Sequence, residues 1–302
     1  MRLVFAGTPQ AAVPSLDALV QAGHEVVAVI TRPDAPVGRS KKPVPSPVAL
    51  RAEELGLVVI KAAKFGEKET ALLRQLQPDL CPVVAYGALV PKEVLAIPMF
   101  GWVNVHFSLL PDWRGAAPVQ RGIMAGDNML GVSVFELVPE LDAGPIYQQV
   151  AIEREADETA GEALERLSFI GADLLVTTLV GIQRGFTPIP QPESATRYAA
   201  KITPEDAKID WSRSAEEIVS LVLGASPSPG AWSTFDGQRF KVLRARVADS
   251  SSLAIGRLEA TKRSLLVGTG KGDVELLEVQ AFGKKVMSGD AWARGVQLHD
   301  FE

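Results

Sequence analysis

Cysteine is almost missing from this chain of 302 residues: Cys81 stands alone. A single thiol excludes an internal disulfide and any thiolate-rich metal site. Cys81 itself reads as a small buried hydrophobe. Histidine is nearly as scarce, with three residues. No apolar run approaches the roughly 20 residues that a membrane span requires, so no membrane partner is expected. The opening MRLVFAGTPQ turns polar too early for a signal peptide. These absences together point to the cytoplasm. An overall basic charge is also lacking. The net charge of −5 gives no global sign of nucleic-acid binding, although residues 207–302 are slightly basic and residues 1–206 acidic. Internal repeats and low-complexity segments are absent too.

Apolar residues make up 47% of the chain, enough for a sizeable core. RLVFA (2–6) and EVVAVIT (25–31) are β-branched-rich runs of strand length, and Val13, Leu16, Leu19 and Val20 between them repeat at helical spacing. The alternation continues with a helix near 47–55 opened by Ser46-Pro47, a strand at 57–61, a helix near 67–76 and a strand near 79–85 interrupted by Pro82. WVNVHF (102–107) is a further strand, GVSVFEL (131–137) and PIYQQVAI (145–152) form a pair around Asp142-Ala143-Gly144, and a long helix lies within 159–184. Apolar strands alternating with amphipathic helices imply an α/β, Rossmann-like, mainly parallel sheet covered on both faces.

FTPIPQPES (186–194) holds three prolines in nine residues and reads as an extended linker. Beyond it, Ser214 and Glu217 form a capping box. FKVLRARV, SLLVGTG and DVELLEVQ then suggest a small β-barrel. The predicted division is a catalytic domain at 1–185, a linker at 186–206 and a barrel domain at 207–302.

Gly7-Thr8-Pro9 follows the first strand, where a dinucleotide fold carries its phosphate loop. GTPQAA lacks G-x-G-x-x-G, and Pro9 removes an amide donor, so a plain strand-to-helix turn is the competing reading.

The chemistry concentrates at NVHFSLLP (104–111). Side chains alternate along a strand, so Trp102, Asn104 and His106 share one face while Val103, Val105 and Phe107 share the other. Asn104 and His106 then lie near the carboxyl end of a parallel strand, the edge at which open α/β sheets bind ligands. Ser108-Leu109-Leu110-Pro111 leaves the strand there, with backbone donors and two leucines suited to a flat, partly apolar ligand. A lone His also serves as a core residue, and Asp142, the candidate carboxylate partner, also fits a simple turn. Taken as a set, Asn104, His106 and Asp142 lack a covalent nucleophile. They suit acyl transfer between two bound substrates: Asn104 donates to a developing oxyanion, and His106, held by Asp142, moves the proton.

NVHFSLLP, WRGAAPVQ (113–120) and ELDAG (140–144), together with FAGTP, VVAYG (83–87), IDW (209–211) and PSPGAW (227–232), resemble the formyltransferases that use 10-formyltetrahydrofolate. The resemblance spans nearly the whole chain. It implies that Asn104, His106 and Asp142 are catalytic, and that Ser108, Leu109, Leu110 and Pro111 bind the folate co-substrate with backbone near Tyr86 and Gly87. No metal is implied. The second domain becomes an OB-like barrel. The full motif set implies formyl transfer to the α-amino group of methionine charged on initiator tRNA; a monomer is expected, though no motif speaks to oligomeric state. Phe107, where many members have a small residue, is expected to tighten the pocket wall.

Residues between Arg32 and Val48 form a long connection carrying Arg39, Lys41 and Lys42. It reads either as a solvated loop or as a grip for phosphates and the end of an RNA stem. The resemblance favours tRNA binding. In the barrel, Arg239, Lys241, Arg244 and Arg246 are either a phosphate track or a solvated face. Two rival functions stay open: a folate-dependent enzyme with another acceptor, water included, and an RNA-binding protein without catalysis.

Overall fold

The computed structural model describes residues 1–36, 42–192, 197–249 and 253–301. The apolar runs become a seven-stranded sheet of β1 (Arg2–Gly7), β2 (Glu25–Thr31), β3 (Val59–Lys61), β4 (Cys81–Val84), β5 (Trp102–His106), β6 (Met129–Glu136) and β7 (Ile146–Glu153). Their order is β7-β6-β5-β4-β1-β2-β3. The five strands from β5 to β3 are parallel, and β6 runs antiparallel to β5. The parallel strands therefore end at one edge of the sheet. Leu3, Val4, Phe5 and Ala6 are fully buried, as a strand covered on both faces demands.

The helices follow their local signals. Pro47–Glu54 starts where the Ala49 N–H donates to Ser46 Oγ at 3.0 Å, with Pro47 in the first turn. Ala160–Gln183 covers the β5–β6 region, and Gly171 lets its backbone in. A Cβ there would sit 2.9 Å from Val105 Cγ1 and 3.3 Å from Val132 Cγ1.

Two expectations change. Pro82 does not interrupt its strand. It pairs with Val103 inside β4, while Cys81 and Val83 carry the flanking register and the Cys81 N–H donates to Gly101 O at 3.1 Å. The strand gives up one donor at Pro82 and keeps its neighbours'. Phe107 does not wall the site either. Its buried ring lies toward Gly171 with Val105 and Val132, on the core side of the strand end.

Two compact units result. The first comprises Met1–Gly115, Gly131–Ile152 and Leu164–Tyr198; the second comprises Ala116–Leu130, Glu153–Ala163 and Ala199–Glu302. The chain passes between them more than once, and the last passage lies within 186–206. The second unit holds β8 (Ala231–Phe235), β9 (Gln238–Val247), β10 (Leu258–Ala260), β11 (Leu265–Gly268) and β12 (Asp273–Gln280). They form an antiparallel half-barrel in the order β8-β9-β12-β11-β10. Phe240, Val242 and Ala245 point into its core, joined there by Leu276 and Trp292. The capping box forms: the Ser214 N–H donates to the Glu217 carboxylate at 3.0 Å, and the Glu217 N–H donates back to Ser214 Oγ at 3.3 Å. That box opens the helix Ala215–Ala225, and Gly224 brings it against the helix Pro118–Met124. A Cβ at Gly224 would sit 2.4 Å from Met124 Cγ. Among the described residues, no helix is long and apolar enough to cross a membrane.

Candidate active site

β5 carries the first two site residues. Asn104 pairs with Val83 on one side and Phe135 on the other, and His106 lies opposite Ser133. Trp102 packs into the core formed with Val4, Ala6 and Tyr86, so the polar pair at 104 and 106 continues that face toward the carboxyl edge. Two residues along a strand span about 6.6 Å, so both side chains can address one small group. Asn104 Oδ1 is buried and has no hydrogen-bond partner among the described residues. Such an acceptor costs about 1–3 kcal/mol in the folded state, and groups of this kind need a reason.

His106 is buried, and among the described residues its imidazole is hydrogen-bonded on one side only. Nε2 lies 2.8 Å from the Trp113 carbonyl oxygen. A carbonyl cannot donate, so Nε2 carries the proton and Nδ1 is the nitrogen left to accept one. Nδ1 lies 3.9 Å from Asp142 Oδ2, beyond hydrogen-bond length but within ion-pair range. Both neighbours are acceptors, so both favour an imidazolium. Burial opposes them and prevails: it holds the pKa of His106 below the ordinary 6.5, while the Asp142 charge and the Trp113 carbonyl pull it back up. The resting imidazole is therefore neutral at pH 7, with groups in place to steady its charged form.

Asp142 sits in the turn between β6 and β7 with φ +47°. The Gly115 N–H donates to its Oδ2 at 2.8 Å. The turn is seated tightly, because a Cβ at Gly144 would fall 1.8 Å from the Glu136 carbonyl oxygen. Sequence spacing alone places Asp142 far from His106. The hairpin β6–β7 beside β5 brings them together.

The Ser108–Pro111 turn is held from below by β6 and β7. Ser133 Oγ donates to Ser108 O at 2.6 Å and accepts from the Leu110 N–H at 3.0 Å. Gln149 Nε2 donates to Ser133 Oγ and to Leu110 O, both at 2.8 Å. Ser108 Oγ donates to Asp112 O at 2.7 Å. A Cβ at Gly131 would lie 2.4 Å from Leu109 Cδ2, so glycine makes the seat for that leucine. Ser108 and Leu110 are thus buried supports of the turn, while Leu109 and Pro111 are half-buried. Ser133 is a residue that sequence reasoning missed. Its only signal is one hydroxyl inside the apolar run Leu130–Phe135.

Other strand ends meet at the same edge. Thr8 Oγ1 donates to Tyr86 O at 2.8 Å and accepts from the Arg32 N–H at 3.3 Å. The Gly7-Thr8 turn therefore ties the ends of β1, β2 and β4 together. The Tyr86 side chain is buried with its hydroxyl donating to Ala62 O at 2.8 Å, so only its backbone faces the edge. Gly87 follows with φ +83°. The long connection after β2 closes its base as a short ribbon, Ala35 with Val44 and Pro36 with Pro43. Lys42 is exposed beside it, whereas Arg39 and Lys41 lie outside the described residues. Among the described residues, no group of three His, Cys, Asp or Glu side chains is placed to hold a metal ion.

A sequence model for formyl transferases matches residues 1–179, and one for the formyl transferase C-terminal domain matches residues 201–297. The methionyl-tRNA formyltransferase of Streptomyces griseus subsp. griseus is 52% identical over 302 residues, covering 99% of this chain and 97% of that protein. The chain belongs to the methionyl-tRNA formyltransferase family. Another family member, from Cutibacterium acnes, is 50% identical, with 99% of this chain and 98% of that protein covered. Distant solved structures share the fold of this formyltransferase. HypX from Aquifex aeolicus, in complex with tetrahydrofolic acid, matches at TM-score 0.66 and 18% identity over 98% of this chain, which spans 47% of HypX. An N-formyltransferase from Helicobacter canadensis, in complex with folinic acid and dTDP-3-aminofucose, matches at TM-score 0.70 and 17% identity over 93% of this chain and 100% of that one.

Proposed function

We propose that this chain transfers the formyl group of 10-formyltetrahydrofolate to the α-amino group of methionine carried by initiator tRNA, in the cytoplasm and as a monomer. One observation carries the mechanism: a neutral imidazole with an open Nδ1, 3.9 Å from the Asp142 carboxylate and beside Asn104, whose Oδ1 has no partner among the described residues, at the sheet edge that also bears the Ser108–Pro111 turn. The amine forms a C–N bond to the formyl carbon, and the bond from that carbon to the folate nitrogen breaks. The side-chain amide of Asn104 donates to the carbonyl oxygen as it gains charge. His106 accepts the amine proton at Nδ1, becomes an imidazolium between the Trp113 carbonyl and Asp142, and returns a proton to the departing nitrogen. Desolvation of the site strengthens each of these interactions.

In this reading Leu109, Pro111 and backbone at Tyr86 and Gly87 line the folate slot, and Ser108 and Leu110 hold its shape. Lys42, with Arg39 and Lys41, meets the phosphates of the acceptor end. The outward face of β9 offers Arg239, stacked 4.1 Å above the Trp232 ring, and the half-buried Lys241, whose ammonium also donates to Pro229 O at 2.7 Å. Arg244 and Arg246 are already engaged by Glu162 and Glu275, which weakens their claim as a phosphate track.

The direct test is incubation with charged initiator tRNA and the formyl donor, followed by mass measurement of the aminoacyl group. A gain equal to one formyl supports the proposal, and an unchanged mass defeats it. Ser133→Ala tests the folate slot. Loss of the bond to Leu110 loosens the turn, so KM for the formyl donor should rise about 3- to 10-fold, as a hydrogen bond worth about 1 kcal/mol implies. KM for the tRNA should stay within about two-fold by the same reasoning. An equal rise in both would detach the turn from folate binding.

A further inference from the structure

Proline-rich segments after a domain's last helix ordinarily serve as spacers, yet residues 186–192 of this chain are built into the first unit. Ile189 exchanges two backbone hydrogen bonds with Ile146 of β7, at 2.7 and 2.8 Å. Two residues on, Gln191 uses its whole side-chain amide. Nε2 donates to Asp142 O at 2.9 Å and to Gly144 O at 2.7 Å. Oε1 accepts from Arg114 Nε at 3.0 Å and from another guanidinium nitrogen of Arg114 at 2.6 Å. Gln191 is thus a clamp across the turn that presents the Asp142 carboxylate.

Arg197, nearer the end of the same segment, holds the other partner of His106. Its carbonyl oxygen accepts from the Trp113 N–H at 2.7 Å, and its guanidinium lies 4.4 Å above the Trp113 ring. The guanidinium also pairs with Asp112 at 3.0 Å. Trp113 has φ +62°, a left-handed backbone that a bulky residue adopts only when its surroundings impose it. In that conformation its carbonyl meets His106 Nε2. Gln191 therefore fixes the group facing Nδ1, and Arg197 fixes the group facing Nε2.

We propose that Gln191 and Arg197 are positioning residues of the active site, setting the two acceptors between which His106 takes up and releases its proton. The inference rests on the proton-transfer role of His106 and Asp142 given above. Among the described residues, Asp142 is the titratable group facing the imidazole. Arg114, Arg197 and Asp112 stand one layer behind it. Asp142 and the Trp113 carbonyl both raise the pKa of His106, so loosening either moves the acidic limb of kcat/KM to lower pH.

The test compares Gln191→Ala, Gln191→Glu, Arg197→Ala and Asp142→Asn in the full-length enzyme, with kcat, both KM values, the pH profile and Tm measured for each. Misplacement of a reacting group by about 1 Å costs up to about 100-fold. Gln191→Ala should therefore lose about 10- to 100-fold in kcat with both KM values nearly unchanged, and its acidic limb should move to lower pH. Gln191→Glu keeps the shape and the contact to Arg114 but turns an oxygen toward Asp142 O and Gly144 O. It should be no better than alanine. Arg197→Ala should move the limb the same way. A Gln191→Glu enzyme with wild-type kcat and limb overturns the clamp. So does a Gln191→Ala enzyme whose Tm falls while the limb stays fixed, because that outcome marks a purely structural role. Asp142→Asn separates the two levels. If it leaves rate and limb untouched, the His106–Asp142 reading fails. If it changes both while Gln191→Ala changes neither, that reading stands and the positioning role falls.

Discussion

His106→Ala should lower kcat by about 100- to 10,000-fold, the contribution of a positioned general base. The affinity for tRNA should stay nearly intact, since phosphate contacts away from the imidazole supply most of the binding to a nucleic acid. The same residue sets a pH dependence. In the proposed mechanism its neutral form accepts the proton, and burial holds its pKa below 6.5 in the free enzyme, so kcat/KM should be level through neutrality and fall only as the pH drops below that value. A limb above 6.5 would mean that another group controls the rate. A His106→Ala enzyme that turns over normally would remove the imidazole from the mechanism.

Asn104→Leu should lower kcat by about 100- to 1,000-fold, the usual loss on removing one oxyanion donor. Stability should move the other way. Asn104 Oδ1 is a buried acceptor without a partner among the described residues, and leucine replaces the amide with an apolar group of similar size. That relieves about 1 kcal/mol or more, so Tm should equal or exceed the wild-type value by about 2–4 °C. Activity falling while stability holds or rises is the mark of a polar group kept for chemistry. An inactive variant with a much lower Tm would instead make Asn104 a structural residue.

Much of this site was legible in residue order. The alternation Trp102-Val103-Asn104-Val105-His106 puts the amide and the imidazole on one face whatever surrounds them. Five apolar strands with intervening helices force those side chains to the carboxyl edge. The capping box at Ser214 and the proline start at Pro47 announce their helices for local reasons. What stayed hidden depends on contacts between distant segments. Ser133 looks like any hydroxyl in an apolar strand until β6 pairs with β5 and places it opposite His106. Phe107 looks like a pocket wall until the helix Ala160–Gln183 is seen to receive it.

Sequence by itself determined the alternating α/β pattern, the strand that carries Asn104 and His106, and the candidacy of Asp142. Periodicity and capping act over a few residues, so they can be read from a few residues. Tertiary structure alone decided which imidazole nitrogen is open, how far it lies from the carboxylate, and that Gln191 and Arg197 take part. Those facts arise where β5, the turn at Asp142, the Trp113 backbone and the segment after the long helix converge. No local rule of propensity or spacing encodes such a meeting.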